Sequence, residues 1–482
     1  MDRFAAMATA DSIASEILRH LLTILGFLLA VFLIARLMSE KRQPGNTLAW
    51  LLGIVLIPYV GVPLYLLLGG RKLRRLAARK SRLTQTPPAG SAVASVVATG
   101  ATAQAIARAA GCPPVGGNAL RFLTTGEDAY AELERRIGEA RHTIHLMTFI
   151  LGRDATGRRI VELLAKRARE GVKVRLLLDA VGCFLSSRGF ANPIREAGGE
   201  VYRFMPVLPF QSRGSANLRN HRKIAVFDRR AAILGGHNLA DEYMGPSPLK
   251  RRWRDLGVVV EGPAVELLNS IFVADWCYAS GQPPETFRGS RAAPLPAQAG
   301  AGELQVVASG PDATGEPLYD GILSFLQEAE RRIWIITPYF IPDEVLFRSL
   351  LIKAHTGREV TLVVPARSNH RIADFARRFY LRELQKAGAQ VMLYRPGMMH
   401  AKAMIVDDRV GLLGSANFDL RSLFVNFEVG VFVYSQPEVD AMRAWAHDLI
   451  NHSTVMAAER SPRRRLLGNL AEDLSRLFAP LL

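Results

Sequence analysis

Two short motifs in the sequence contain the same chemically active residues in the same order. The first has His221, Lys223 and Asp228 in the spacing His-x-Lys-(x)4-Asp, and the second repeats this spacing. The second motif consists of His400, Lys402 and Asp407. Small residues and an Asn follow each Asp at equal offsets: Gly235, Gly236 and Asn238 in the first copy, and Gly414, Ser415 and Asn417 in the second. On an extended strand, a His and a Lys two residues apart point to one side, so both can reach one site.

This set of side chains is suited to phosphoryl transfer. Two imidazoles supply a nucleophile and a general acid, while two ammonium groups and two amides can donate hydrogen bonds to the non-bridging phosphate oxygens. Small residues such as Gly236 and Ser415 allow the backbone to approach the site closely. The third position of each motif is lysine, although only 10 of the 61 Lys and Arg residues are lysine. This choice indicates that a compact ammonium group is required at both positions.

The composition excludes several classes of protein. A hydrophobic content of 49% and a charged content of 22% exclude a mainly disordered chain. The three scattered cysteines do not form a disulfide framework or a Cys-rich zinc site, and no cluster has the spacing of a metal site. We therefore expect no cofactor, and we expect the two motif lysines to neutralise the phosphate. The net charge of +17 indicates an anionic partner, which could be nucleic acid, a phosphorylated substrate or a membrane surface.

The amino-terminal region contains two long apolar runs. Residues 17–38 match the length needed to cross a hydrocarbon core, and residues 43–70 form a second uncharged run interrupted by prolines and glycine. A secretory signal peptide fits poorly because acidic residues precede the first run. A pair of buried core helices is the alternative, but both runs are apolar on every face. The pattern predicts a transmembrane hairpin.

A basic cluster follows the second apolar run and predicts its orientation. The cluster has no acidic member and comprises Arg71, Lys72, Arg74, Arg75, Arg79, Lys80 and Arg82. By the positive-inside rule, everything after residue 70 lies in the cytoplasm. We expect the same cluster to bind anionic lipid headgroups at the membrane surface.

After a segment rich in Ala, Gly and Pro, the chain repeats one order of predicted strands and helices. Residues 171–179 match residues 357–365, and residues 197–201 match residues 387–391. The repeat predicts two pseudo-symmetric α/β units, each with strands between layers of helices, and an internal duplication. The predicted regions are a hairpin with its basic segment (1–83), a linker (84–118), a first unit (119–295), a second unit (303–460) and a basic amphipathic tail (461–482).

The doubled motif resembles the signature of the phospholipase D superfamily, and the resemblance extends to bacterial cardiolipin synthases. The segments that carry it are residues 46–50, 220–224, 235–243, 253–255, 337–343, 414–422 and 426–428. The resemblance implies two α/β/α sandwich units after a transmembrane hairpin, with one active site between the units. It also implies a multi-pass protein of the bacterial inner membrane with its catalytic units in the cytoplasm.

The resemblance further implies a two-step reaction. His221 attacks the phosphorus of phosphatidylglycerol while His400 protonates the departing glycerol, and the hydroxyl of a second lipid then releases the phosphatidyl group as cardiolipin. Asp255 and Glu428 correspond to the carboxylates that pair with the two imidazoles and fix their tautomers. Asp228 and Asp407 complete the catalytic signature, and we expect them to tie the motifs to neighbouring backbone or arginine. Asn238, Asn417, Gly236 and Ser415 are expected to support or bind the phosphate.

Other functions remain open from the sequence. Water could resolve the same intermediate, as in a phospholipase D, or the substrate could be nucleic acid, which the apolar amino terminus argues against. A non-catalytic scaffold is disfavoured because both His and both Lys are present. Two departures from the family pattern, His237 and Asn369, leave the donor and acceptor lipids open, and the oligomeric state is open as well.

Overall fold

The computed structural model describes most of the chain in two compact units. The described residues are 2–38, 44–59, 61–62, 100–184, 186, 189–206, 218–287, 298–313 and 315–457. The units are Met1–Arg74 and Arg75–Leu482, and each is considered by itself. The whole predicted basic cluster and the whole predicted tail lie outside the described residues.

Two helices of the amino-terminal unit contain the first predicted apolar run and part of the second. Helix α1 spans Asp2–Met38 and helix α2 spans Pro44–Leu56. Helix α2 ends just before Pro58, because a proline disfavours helical backbone in the residue that precedes it. Leu33 and Ile54 are buried in a small shared core. In the part of the chain that the structure describes, no helix combines the length and the apolar character needed to cross a membrane.

The larger unit is built on one mixed sheet with fifteen strands in the described residues. The strands of the first half are β1 (Val115–Leu123), β2 (Thr143–Thr148), β3 (Lys173–Asp179), β4 (Glu200–Phe204), β5 (Ile224–Phe227), β6 (Ala231–Gly235) and β7 (Gly257–Glu261). Those of the second half are β8 (Gly302–Ser309), β9 (Arg332–Ile336), β11 (Glu359–Pro365), β12 (Gln390–Tyr394), β13 (Ala403–Val406), β14 (Val410–Gly414), β16 (Glu428–Val433) and β17 (Ser453–Val455). Strands β10 (Phe340–Ile341) and β15 (Phe418–Asp419) form a separate parallel pair.

The strand order repeats between the halves. The first half runs β1-β7-β6-β5-β2-β3-β4, and the second runs β8-β16-β14-β13-β9-β11-β12 with β17 at its edge. Strands β1 and β8 pair antiparallel in the middle of the sheet, so the two halves meet through their first strands. This arrangement matches the predicted duplication.

Helices cover both faces of the sheet. The first half contains α4 (Gly126–Glu139), α5 (Ala155–Arg169), α6 (Asn192–Glu196) and α7 (Ala264–Ser280), preceded by α3 (Ala101–Ala110). The second contains α8 (Pro317–Glu328), α9 (Glu344–His355), α10 (Arg371–Lys386), α11 (Leu420–Phe424) and α12 (Gln436–Asn451). Leu133 and Ile160 share a core with Ile144 of β2, whereas His145, the next residue along that strand, stacks on Phe272 of α7. Because successive strand residues face opposite sides, α7 lies on the face opposite to α4 and α5.

The segment predicted as a linker contains regular structure. Helix α3 inserts Ile106 into the core of the second half, and Gln305 donates to the Ala103 carbonyl at 3.1 Å. Strand β1 then begins at Val115, earlier than the predicted unit boundary at residue 119. Its Gly117 has φ 79° at an irregularity in the β1–β8 pairing. A glycine pair that is typical of a loop therefore forms a bulge inside a strand.

Candidate active site

The two His-Lys segments lie immediately before equivalent strands and are held by the opposite half. Strands β5 and β13 begin one residue after Lys223 and Lys402, so the segments are extended backbone leading into the strands. The His221 backbone N–H donates to the Phe427 carbonyl at 2.9 Å. In the same way, the His400 N–H donates to the Arg254 carbonyl at 2.7 Å. In both cases the accepting carbonyl belongs to the opposite half, to the residue immediately before Glu428 or Asp255.

The carboxylates are exchanged between the halves. His221 Nδ1 lies 3.2 Å from Glu428 Oε1, and His400 Nδ1 lies 2.7 Å from Asp255 Oδ2. Both carboxylate side chains are fully buried. The structure therefore brings together the two imidazoles and the two carboxylates as a pair of crossed dyads. A carboxylate on Nδ1 orients the ring and leaves Nε2 for chemistry.

One cavity of about 430 Å³ contains the predicted reactive groups. Among its lining residues are His221, Lys223, Asn238, His400, Lys402 and Asn417. The Lys223 ammonium donates to the His221 carbonyl at 2.6 Å, and Lys402 Nζ lies 2.7 Å from His400 Nδ1. The cavity thus presents two imidazoles, two ammonium groups and two amides to one small volume.

Gly236 and Ser415 lie behind the dyads rather than on the cavity wall. A Cβ at Gly236 would stand 2.0 Å from Asp255 Oδ1, so only glycine leaves room for that carboxylate. At the matching position, the Ser415 hydroxyl donates to Glu428 and accepts from the Val429 N–H at 3.0 Å. Gly236 and Ser415 therefore lie against the carboxylates of the two dyads.

Asp228 and Asp407 are at the far ends of the motif strands, away from the cavity. Both have positive φ, 50° and 52°, in the turns after β5 and β13. The Asp228 carboxylate accepts from the backbone N–H groups of residues 141, 142 and 143, and Asp407 accepts from those of 330, 331 and 332. They fix the starts of β2 and β9, so their place in the signature is structural and not catalytic.

Burial and neighbouring charges shift the ionisation of the site. Burial lowers the pKa of His400 to about 3, with Lys402 as the second cause. Burial, and then Lys223, also lowers the pKa of His221. Burial alone would raise the pKa of Asp255, but Lys402 and His400 outweigh it and hold this pKa below its usual range. Both imidazoles are therefore neutral at neutral pH.

The lysines are shifted as well, which gives a pH prediction. Burial is the main cause that lowers the pKa of Lys402 to about 7, so this side chain is charged below that pH and neutral above it. We expect kcat/KM, which reports on the free enzyme, to fall about tenfold per pH unit once the pH exceeds the Lys402 pKa near 7. The limb in kcat should lie at higher pH, because a bound phosphodiester stabilises the ammonium. The measurement is a pH profile with a water-soluble short-chain phospholipid. If kcat/KM of Lys402→Arg fell at the same pH as kcat/KM of the wild type, the assignment of this pKa to Lys402 would be contradicted.

Arg222, between the His and Lys of the first motif, braces the site from one side. Its guanidinium is buried and donates to Asp275 Oδ1, to the Glu428 carbonyl and to the Ser309 carbonyl, each at 2.9 Å. The last two acceptors belong to the second half, so the side chain joins the halves next to a dyad. The matching residue in the second motif is Ala401, which leaves the brace on the His221 side only.

Arg222→Ala is expected to destabilise the protein, because Asp275 would remain buried without its cation. Loss of one member of a buried pair costs about 3–5 kcal/mol of unfolding free energy. The double variant R222M/D275N removes both charges and should recover part of that loss. Thermal unfolding of the full chain in detergent measures both; equal midpoints for wild type and R222A would refute the brace.

Other cavity residues were not predicted from the sequence. The walls also contain Phe149, whose ring centroid is 4.1 Å from that of His221, and Tyr243, 5.1 Å from His400. Asn369 accepts a hydrogen bond from the Tyr339 hydroxyl, and both residues line the cavity together with His370. In the sequence, the departure from the family pattern at Asn369 was the signal that could have indicated this part of the cavity wall.

Comparisons with known proteins identify the family. A family model described as "Cardiolipin synthase, PLD-like domain" matches residues 133–276 and 322–450. The chain is similar to "Cardiolipin synthase 1" of Bacillus anthracis, at 33% identity over 96% of this chain and 92% of that protein. The chain belongs to the cardiolipin synthases of the phospholipase D superfamily. Another member of this family, from Alkalihalophilus pseudofirmus, is 34% identical over 99% of this chain and 97% of its own length.

Two further matches concern the amino terminus and the fold. A family model described as "Phospholipase_D-nuclease N-terminal" matches residues 27–70, which include the end of α1 and all of α2. The crystal structure of phosphatidylserine synthase from Haemophilus influenzae has a TM-score of 0.58 and 17% identity, and the match covers 75% of this cardiolipin synthase family member and 95% of that chain. At this identity the likeness concerns the fold alone.

Proposed function

We propose that this protein is a cardiolipin synthase that transfers a phosphatidyl group from one phosphatidylglycerol to another and releases glycerol. The observation that carries the proposal is the single cavity in which two His-Lys pairs meet, each His on a carboxylate of the opposite half. Family membership over nearly the whole chain supports the same reaction.

In the first step, His221 Nε2 attacks the phosphorus and the bond from phosphorus to the glycerol oxygen breaks. His400 gives its proton to that oxygen, so that glycerol leaves as a neutral alcohol. The side chain of His221 is 21% exposed and that of His400 is 10% exposed. His400 is also in contact with Lys402 at both ring nitrogens. These differences support His221 as the nucleophile.

Charge balance supports the acid role of His400. Next to the two imidazoles, the carboxylates of Asp255 and Glu428 balance the ammonium groups of Lys402 and Lys223 when both lysines are protonated, so a bound phosphodiester adds a negative charge beside His400. That negative charge raises the pKa of the neighbouring imidazole, and His400 takes up the proton it needs as the substrate binds. The ammonium groups of Lys223 and Lys402 stabilise the charge that develops on the phosphate oxygens.

In the second step, the hydroxyl of another phosphatidylglycerol attacks the phosphorus and the bond between phosphorus and nitrogen breaks. His400, now neutral, accepts the hydroxyl proton and returns to its acid form, while His221 is released. Water could attack in place of the lipid and yield phosphatidic acid. Cardiolipin therefore forms only where the hydroxyl of the acceptor lipid attacks the phosphorus faster than water does.

The membrane location is part of the proposal. Many apolar side chains of α1 are exposed, among them Leu21 (58%), Phe27 (67%) and Phe32 (57%), which supports insertion of this helix in a bilayer. We place the hairpin in the bacterial inner membrane with residues after 70 in the cytoplasm. The predicted regions 1–83, 119–295, 303–460 and 461–482 are kept, but residues 84–118 are no longer treated only as a linker, because they contain α3 and the start of β1. A reporter fused after residue 82 tests the orientation; a reporter found outside the membrane would refute it.

Product analysis tests the proposed reaction. Purified full-length protein is incubated with phosphatidylglycerol vesicles, and cardiolipin, glycerol and phosphatidic acid are quantified. We expect equal amounts of cardiolipin and glycerol. Phosphatidic acid as the sole lipid product would make the protein a hydrolase, and the absence of any product would reject both activities.

A further inference from the structure

Large exposed apolar side chains occur in both halves, close in sequence to residues that line the cavity. In the first half they are Val181 and Phe184, which are 42% and 59% exposed, in the loop after β3. In the second half they are Ile372 and Phe375, which are 53% and 37% exposed, in the first turns of α10 after β11. We name these four residues the apolar rim.

The apolar rim follows the pseudo-symmetry of the unit and borders the cavity. Strands β3 and β11 occupy matching places in the two halves, so the two pairs lie in the segments that follow equivalent strands. Val181 itself lines the cavity, and so does Ala373, which lies beside Ile372 in the sequence. Apolar groups on both sides of one polar opening are unusual for a surface that faces only water.

Cations accompany the apolar rim. Arg367, Arg371 and Arg378 are exposed in the same loop and helix, and the Arg378 guanidinium lies over the Phe375 ring at 4.4 Å. The nearby Asp374 does not neutralise them, because its carboxylate pairs with Arg377 at 2.8 Å and accepts from the Ser368 N–H. Apolar side chains mixed with arginine fit the boundary between acyl chains and anionic headgroups.

The size of the cavity indicates what lies against the rim. A volume of about 430 Å³ accommodates phosphate and glycerol groups but not two diacyl lipids. The acyl chains of both substrates must therefore remain outside the cavity, in the bilayer from which their headgroups extend.

We propose that the apolar rim inserts into the surface of a bilayer that contains anionic phospholipid, and that it thereby brings lipid headgroups into the cavity. This inference rests on the proposed function, since it assumes lipid substrates. It assigns to Phe184, Ile372 and Phe375 an interfacial role separate from the chemistry.

Activity on two forms of one substrate tests the rim. The full chain is reconstituted in phosphatidylcholine vesicles and given long-chain phosphatidylglycerol within the bilayer or short-chain phosphatidylglycerol dissolved in water. The variant F184S/I372S/F375S is expected to lose about tenfold or more on the bilayer substrate and to stay within about twofold on the soluble one. The matched control is V345S/I352S, which removes side chains of 55% and 60% exposure on α9 and should match wild type on both. Equal activity of the triple variant and wild type in the bilayer, or equal losses on both substrates, would overturn the proposal.

A measurement without turnover separates this proposal from the proposed reaction. Phe375→Trp in vesicles with brominated lipid should show quenched fluorescence relative to Val345→Trp, whether or not the protein makes cardiolipin. Equal quenching at the two positions would overturn the rim even for an active enzyme. An inactive protein with selective quenching would retain the rim and reject the reaction.

Discussion

His221→Ala is expected to abolish phosphatidyl transfer, with a loss of about 10⁴-fold or more, because the variant lacks the proposed nucleophile that forms the covalent intermediate. His400→Ala should lose about 10²–10⁴-fold on phosphatidylglycerol, since glycerol leaves slowly without a proton donor. The two roles separate when the leaving group needs no proton. We therefore compare both variants on a phosphatidyl ester of p-nitrophenol.

On that ester, His400→Ala is expected to release one nitrophenol per active site and then stall. The stall follows because the variant lacks the base that activates the acceptor hydroxyl, and mass spectrometry should find the phosphatidyl group on His221. His221→Ala should give no burst. His355→Ala, which changes an exposed histidine on α9, is the matched control and should behave as wild type. A burst from His221→Ala together with none from His400→Ala would reverse the two assignments.

The second large effect is expected from the buried carboxylates. Glu428→Gln keeps the size of the side chain but removes the charge that orients His221 and stabilises its cation, and a loss of about 10²–10⁴-fold should follow. Because the carboxylates are exchanged, this change in the second half should slow the burst, which reports on the first-half histidine. Asp255→Asn should not change the burst on the nitrophenyl ester but should slow the turnover that follows, because Asp255 pairs with His400.

Ser415→Ala provides a graded control for the same dyad. It removes one hydrogen bond to the Glu428 carboxylate and leaves the charge, so a loss worth about 1–3 kcal/mol is expected, well below that of Glu428→Gln. Pre-steady-state bursts measure all three variants. If Glu428→Gln left the burst intact and Asp255→Asn removed it, each histidine would depend on the carboxylate of its own half.

The repeated motif allowed much of the cavity to be predicted, because residue type and spacing place His, Lys and Asn at the same end of equivalent strands. The exchange of carboxylates could not be derived from spacing. Asp255 and His400 are 145 residues apart, and they meet only because the halves associate. Resemblance to a family supplied these two residues, but no local pattern indicates which histidine each one serves.

Arg222 and α3 show two further limits of sequence reasoning. An arginine between His and Lys is typical of the exposed face of a strand, yet here that face is covered by the second half and Arg222 is buried. Helix α3 lies in an Ala-rich segment of low charge, a composition typical of linkers. Its burial against the second half depends on contacts with Gln305 and the core, which come some 200 residues later in the chain.

The crossed dyads also constrain how this sequence can change over generations. A substitution that alters a carboxylate in one half acts on the reactivity of the histidine in the other. Neither copy of the duplicated unit can drift, be shortened or be replaced by its counterpart from a relative without altering the chemistry of its neighbour. The two halves have separate cores, but selection must preserve the pairing between the histidine of each half and the carboxylate of the other.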